Sequence, residues 1–432
     1  MDQAPLPYQT LLILNVAACI AEEVGDQERD SISVNETAKT TDAASNTALP
    51  RNVKVLGLTS LLNDTASEMI FPLLPNFLLT ILGGNRFYLG VIEGAADSVA
   101  SLLKLWSGSR SDQAGRRKGF ILFGYSLAAI ARPLIGVIVA PWQLFLVRFG
   151  DRIGKGIRTS PRDALIADST DASMRGRAFG FHRAMDHLGA AIGPLLAAGF
   201  LWLWPESLRM LFVLTIVPGV LVVGLVVFGL RETPTIEPPQ ERLHLTLQPF
   251  DQNFRRYLLA LVVFTLGNSS DAFLLVRAGE LGVPVVMLPL LWCAFHIVKS
   301  SSNLFLGRAV DKFGPRPFIF LGWFVYAGVY LAFGLATAAW EAWALFLCYA
   351  LFYGLTEPAE KTLVANLVGN ERKGLAYGWY NFAIGIATLP SSLIFGALYQ
   401  FAGPVVAFAW GAVLAVIAGI LMWGVKDPRT SS

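Results

Sequence analysis

The sequence predicts an all-α membrane protein of twelve transmembrane helices, arranged as two pseudo-symmetric six-helix bundles. Three observations lead there. The chain of 432 residues is 54% hydrophobic and only 15% charged, where soluble domains carry about a quarter charged residues. Twelve mostly apolar segments follow residue 50, each close to the roughly 20 residues that a spanning helix needs. The string Gly108-x-x-x-Asp112-x-x-Gly115-x-Arg117 returns 199 residues later as Gly307-x-x-x-Asp311-x-x-Gly314-x-Arg316. Internal repetition decides an architecture better than any single motif.

Taken in order, the spans are expected near 53–80, 86–108, 119–140, 142–162, 176–202 and 208–230, then 255–278, 284–307, 317–338, 342–365, 374–399 and 402–424. Residues 1–50 stand apart. Leu6 to Ala21 is apolar but short, and it lacks the positive flank of a signal peptide. Glu22 to Pro50 is polar and acidic, which predicts a disordered cytoplasmic tail. The first bundle is then 51–230 and the second 255–426, with 427–432 as a cytoplasmic tail. The linker 231–254 holds Thr-Pro and Pro-Pro steps, reads as a polar connector, and is too short for a folded domain.

The net charge of +3 says little, but its placement says more. Lys and Arg gather in alternate loops, at 109–118, 231–256, 307–317 and 361–373, and near Arg51 and Lys426. By the positive-inside rule both termini face the cytoplasm of a cytoplasmic (inner) membrane. The basic clusters are short and flank spans, so nucleic acid is not the expected partner. The partners expected are the lipid bilayer, protons and a small-molecule substrate, with the chain a monomer. Cys19, Cys293 and Cys348 form no disulfide framework and no metal spacing.

The repeat extends beyond the loop. Arg175-Gly-Arg-Ala-Phe-Gly180 opens the fifth span and Lys373-Gly-Leu-Ala-Tyr-Gly378 the eleventh, 198 residues on. On these motifs the chain resembles the major facilitator superfamily over residues 51–426. Gly108-Ser-Arg-Ser-Asp112-Gln-Ala-Gly115-Arg116-Arg117 is similar to that family's loop after the second span, although Gln113 stands where the family has a basic residue. The resemblance implies a conformational latch at Gly108, Asp112, Gly115, Arg116 and Arg117, and at Gly307, Asp311, Gly314 and Arg316. In the fifth span Gly180, Gly189, Gly193 and Pro194, followed by Ala197-Ala198, resemble a glycine-rich pattern of the family's exporters. Small residues there imply close helix packing. Pro72-Leu-Leu-Pro75 is a weaker likeness.

Ionisable residues are costly in lipid, by about 2.5–3.5 kcal/mol at the centre of a span, and usually face a cavity or a partner. The first five spans hold six acids, at 64, 68, 93, 97, 151 and 186, and five bases, at 132, 148, 152, 155 and 183. Near balance predicts a paired network. Asp64 and Glu68 share a helix face, as do Glu93 and Asp97. Asp64, Asp97 and Asp186 are the expected proton carriers, with Arg148, which partly matches a family arginine tied to proton transfer. The alternative is that all three acids are permanently paired and serve packing. The expected substrate cavity takes Asn63, Glu68, Arg152 and Lys155 from the first half and Asn268, Asp271, His296 and Glu357 from the second. Arg152 and Lys155 favour an anionic or zwitterionic substrate over a lipophilic cation.

These residues predict a secondary transporter, energised by the proton gradient without a cofactor, that exports a small polar or charged metabolite or drug. Two other readings stand beside it: proton-driven uptake of an organic anion or a siderophore-type chelate, and a non-transporting receptor on the same fold. An enzyme is not expected, since there is no glycine-rich phosphate loop, metal spacing or nucleophile elbow.

Overall fold

The computed structural model describes residues 48–171, 174–233, 247–248, 250–368 and 373–426. Most of the expected N-terminal tail, most of the linker and residues 427–432 lie outside the described residues. Among the described residues every regular element is helical.

Among the described residues twelve helical rods run in chain order. The first, α1, covers residues 51–81. It begins as an α-helix, Arg51–Ile70, and ends in a short 3-10 turn, one α-turn and a π-turn. The irregularity follows Pro72 and Pro75, which cannot donate to the helix ladder. Then come α2 (Arg86–Ala114), α3 (Lys118–Leu134), α4 (Pro141–Asp168), α5 (Arg175–Leu203) and α6 (Leu208–Gly229). The second half holds α7 (Gln252–Glu280), α8 (Leu288–Phe313), α9 (Pro315–Leu335), α10 (Ala339–Leu367), α11 (Lys373–Ala402) and α12 (Pro404–Trp423). Seven rods, α5 to α9 with α11 and α12, are long and apolar enough to cross a membrane. The charge-bearing α1, α2, α4 and α10 fall outside that group, and α3, at 17 residues, is too short for it.

Rod α7 is broken. Its first helix stops at Gly267 and its second starts at Ala272. Between them Asn268-Ser-Ser-Asp271 combines turn-forming residues whose side chains compete with the helix ladder. Rod α7 also begins at Gln252, ahead of the expected boundary at 255, because Asp251 caps it by accepting from the Phe254 N–H at 2.8 Å.

Within the first half α1 lies along α5, and α2 and α3 along α4; within the second, α10 packs on α8 and α9, and α12 on α7 and α9. The α1–α5 contact depends on glycine. A Cβ at Gly189 would sit 2.5 Å from the Leu61 carbonyl oxygen, and one at Gly193 2.5 Å from that of Thr65. Pro194 follows inside the same helix. Gly180 departs from the expectation: nothing stands within 4 Å of the position its Cβ would take, so it packs against no neighbour. It is exposed, on a face turned away from α1, whose Gly57 meets the neighbouring Phe181 instead.

The two repeated loops also differ from the latch expected of them. Gly115 ends α2 in the left-handed conformation at φ 60°, and its N–H meets the Asp112 carbonyl at 3.3 Å. Arg117 binds Asp112 at 3.1 Å and Asp168 at 3.0 Å, while Glu232 accepts from the backbone N–H of Arg117 and Lys118 at 2.8 and 3.0 Å. These contacts tie α2, α3, α4 and the segment after α6 together within the first half, rather than one half to the other. Arg116 is exposed, and Gly108 lies against Ser160 of α4. In the second copy Arg316 donates to the Trp423 carbonyl at 3.1 Å, Gly314 has φ 81°, and Gly307 only grazes Pro358. The side chain of Asp311 lies outside the described residues.

The halves meet along α2 with α11 and α5 with α8. At the Arg86 end the seam is tight. Arg86 pairs with Glu280, its N–H donates to Gln400 at 3.1 Å, and the Gly90 backbone lies directly on the Ser392 carbonyl. Further along, Ser98 donates to the Gly385 carbonyl at 2.7 Å and the Cys293 thiol to that of Ala191 at 3.7 Å.

Candidate functional site

A cavity of about 430 Å³ lies at the seam. Its size is that of a pocket for one small molecule. The first half contributes Glu68 and Phe71 from α1, Asp97 from α2, and Arg152 and Lys155 from α4. The second contributes the break in α7 from Asn268 to Asp271, Trp292 and His296 from α8, the run Phe352 to Glu360 from α10, and Tyr380, Ile384 and Thr388 from α11.

Behind the first wall lies a buried charge network. Arg148 holds Glu93 through contacts of 2.9 to 3.1 Å and reaches Asp151 at 3.6 Å. Arg132 binds Asp151 at 3.2 Å and donates to both the carbonyl and the side-chain oxygen of Asn63, at 2.7 and 3.0 Å. Arg158 reaches the same side-chain oxygen at 3.4 Å and lies over the Tyr125 ring. Asn63 in turn donates to Asp64 at 2.8 Å. Buried charges survive in such a place by pairing.

The charges that line the cavity are less well paired. Arg152 is 10% exposed and its nearest acid is Asp97, at 3.5 Å and 41% exposed. The Arg152 Nε is buried without a hydrogen-bond partner. Lys155 is exposed into the cavity and, among the described residues, has no acid within 4 Å. Glu68 spans the seam: it accepts from the Trp292 indole N–H at 2.7 Å, and His296 Nε2 stands 4.0 Å from the same oxygen.

The second wall is aromatic and acidic. Asp271 accepts from the Tyr349 hydroxyl at 2.7 Å and from that of Tyr353 at 3.1 Å. Glu360 accepts from Tyr380 at 2.8 Å and from the Trp323 N–H at 3.4 Å. Glu357 is different, since Lys299 pairs with it at 3.0 Å and Asn303 donates at 2.9 Å. Lys299 also lies over the Tyr353 ring. Trp292, Phe295, Tyr349 and Tyr353 form one connected aromatic cluster that holds the wall rigid.

Of the residues expected to line the cavity, the structure brings together Glu68, Arg152, Lys155, Asn268, Asp271, His296 and Glu357, and it adds Asp97, expected as a proton carrier. Asn63 is not among them; it lies deeper, held by Arg132, Arg158 and Asp64. Arg148 is likewise enclosed by Glu93 and Asp151 and does not line the cavity. Asp64 is half-buried behind it, and Asp186 accepts from Ser60 and stands 3.6 Å from both His182 and Arg183. Sequence reasoning did not place Glu360 in the cavity, or the seryl break in α7. The signals were present: Glu357-x-x-Glu360 puts both acids on one face, and Asn268-Ser-Ser-Asp271 is a turn string inside an apolar run. Phe71, Phe264 and Phe352 carried no signal distinct from core residues. Among the described residues no group of three His, Cys, Asp or Glu stands together to hold a metal ion.

Comparison with known proteins agrees with this architecture. The chain is 30% identical over 380 residues to an uncharacterized MFS-type transporter of Methanocaldococcus jannaschii, covering 87% of this chain and 94% of that protein. It is 26% identical over 335 residues to the multidrug resistance protein MdtH of Sodalis glossinidius, covering 74% of this chain and 78% of that one. Its fold superposes on the human organic anion transporter MFSD10 with a TM-score of 0.64 at 17% identity, covering 86% of this chain and 99% of that one. The sequence profile of the Major Facilitator Superfamily matches residues 56–298 and 257–432. With two six-rod halves, a polar cavity at their seam and a profile match over most of its length, this chain belongs to the Major Facilitator Superfamily of membrane transporters.

Proposed function

We propose that the protein is a proton-coupled secondary transporter that exports a small charged metabolite or drug by alternating access. The observation that carries this reading is the loose pair Asp97–Arg152, 3.5 Å apart on the cavity wall, beside Lys155, which has no acid within 4 Å among the described residues. A proton on Asp97 removes the charge that holds Arg152. Arg152 is then free to meet a substrate anion, and loss of the proton reverses the exchange. Protonation of Asp97 and binding of a substrate anion at Arg152 thus favour one another, and by linkage each raises the other's affinity by the same factor. Asp64 and Asp186, behind the wall, are the further carriers on this reading, and Arg148 with Glu93 is the frame that keeps α2 and α4 in register.

On this reading the Gly108 and Gly307 turns and both termini face the cytoplasm, the chain is a monomer in the cytoplasmic membrane, and the proton gradient is the energy source, with no cofactor. The segments 51–230 and 255–426 rock about the seam, and the repeated loops stiffen each half. The resistance proteins among the relatives support export over uptake.

The test compares cells overproducing the wild type or Asp97→Asn, with metabolites measured inside and outside by mass spectrometry. Export requires a compound that accumulates outside with the wild type only. Its accumulation inside reverses the direction. No difference between two well-folded proteins removes Asp97 from coupling and returns the receptor reading.

A further inference from the structure

The bases Arg152 and Lys155 of the cavity come from the first half, and the acids Asp271, Glu357 and Glu360 from the second. On the first wall Lys155 has no acid within 4 Å among the described residues and Arg152 meets only Asp97, at 3.5 Å, while the acid Glu68 is held by Trp292 of the other half. On the second, Asp271 and Glu360 accept hydrogen bonds only from neutral donors, the hydroxyls of Tyr349, Tyr353 and Tyr380 and the indole of Trp323. Among the described residues neither has a cation within 4 Å. Of the remaining lining charges, Glu357 is answered by Lys299, Asp97 by Arg152 at 3.5 Å, and Glu68 by the Trp292 indole, with His296 4.0 Å away. A carboxylate offers about four acceptor positions, so Asp271 and Glu360 each keep capacity for another donor. The Arg152 Nε is buried and lacks an acceptor.

We propose that the substrate is a small zwitterion that spans the seam, with its carboxylate held by Arg152 and Lys155 and its ammonium by Asp271. A simple anion meets the uncompensated Asp271 on the far wall, and a simple cation meets the bases Arg152 and Lys155 on the near one. A zwitterion satisfies both walls at once. It also ties one half to the other, so its binding differs between conformations in which the walls approach and part. Only such differential binding shifts a conformational equilibrium. The volume of about 430 Å³ is enough for one such molecule.

The inference takes the cavity as the substrate's place, as the transport reading does, but its test does not need transport. The full chain, purified in detergent, is titrated by calorimetry with a ladder of unbranched ω-amino acids. Each is matched with the fatty acid and the alkylamine of the same length. At the length that fits, the amino acid should bind at least about tenfold more tightly than either partner, since a buried charge left unpaired is penalised. Arg152→Gln should abolish its advantage over the amine and leave its advantage over the acid. Asp271→Asn should do the reverse. Opposite changes in two folded variants are not produced by misfolding, which size-exclusion profiles check separately. Equal binding of the fatty acid, or of the amine, overturns the proposal, and so does the absence of binding by every amino acid in the ladder. If the zwitterions bind in this pattern but proteoliposomes do not move them, the transport reading falls and the pocket assignment stands. If another compound is moved and the zwitterions do not bind, the reverse holds.

Discussion

Arg148 of α4 holds Glu93 of α2 through three contacts of 2.9 to 3.1 Å, and both side chains are buried. The pair bridges the two helices that carry Arg152 and Asp97 one turn further on. Removing one member strands the other charge in a medium with little water. Glu93→Ala should therefore cost about 3–5 kcal/mol, seen as a lower apparent melting temperature in detergent. The double change Glu93→Leu with Arg148→Met should recover most of the loss. A single variant as stable as the wild type would show that the pair contributes nothing to the frame.

The fifth rod offers a paired comparison on one helix. Gly193→Leu drives a side chain into the Thr65 carbonyl and should cost about 1–3 kcal/mol through overpacking, with α1 displaced. Gly180→Leu meets open space and should stay within about 0.5 kcal/mol of the wild type. Equal losses at the two positions would mean that the α1–α5 contact is not what makes Gly193 necessary.

At the first repeated loop Gly115 has φ 60°, a conformation that strains residues with a Cβ. Gly115→Ala should cost about 1–2 kcal/mol. Arg117→Ala removes the contacts to Asp112 and Asp168 and should loosen the ends of α2 and α4. Hydrogen exchange of the segment 108–118 reads both effects. Exchange unchanged in Arg117→Ala would show that the Glu232 contacts alone hold the turn.

The Arg86 end tests whether the seam moves. Gly90 has no room for a side chain against the Ser392 carbonyl. Gly90→Leu should hold the halves apart there, lengthening the distance between spin labels at Tyr88 and Phe401, both exposed near that end. Pulsed electron paramagnetic resonance measures this distance in a background without other cysteines. An unchanged distance distribution would mean that the contact yields locally and does not control opening.

The amino-acid sequence alone determined the fold class, the repeat and the order of the helices. These follow from hydropathy over some twenty residues and from a spaced motif present twice, and neither depends on how helices pack. It also identified most of the charges that line the cavity, because an ionisable residue inside an apolar run has few places to go except a polar interior. Tertiary structure alone decided which of them share a wall. Asn63 and Asp64 are neighbours of Glu68 on one helix, yet Glu68 reaches Trp292 across the seam while Asn63 is held by Arg132 and Arg158 behind it. Arg148 and Arg152 lie one turn apart, yet one is enclosed by acids and the other faces the cavity with a single distant partner. The latch expected at the repeated loops closes within the first half, through Asp168 and Glu232, which lie far away in sequence. Helical spacing places a residue on a face, but the rotation of that helix against its neighbours, set by contacts such as Gly193 on Thr65, decides what the face meets.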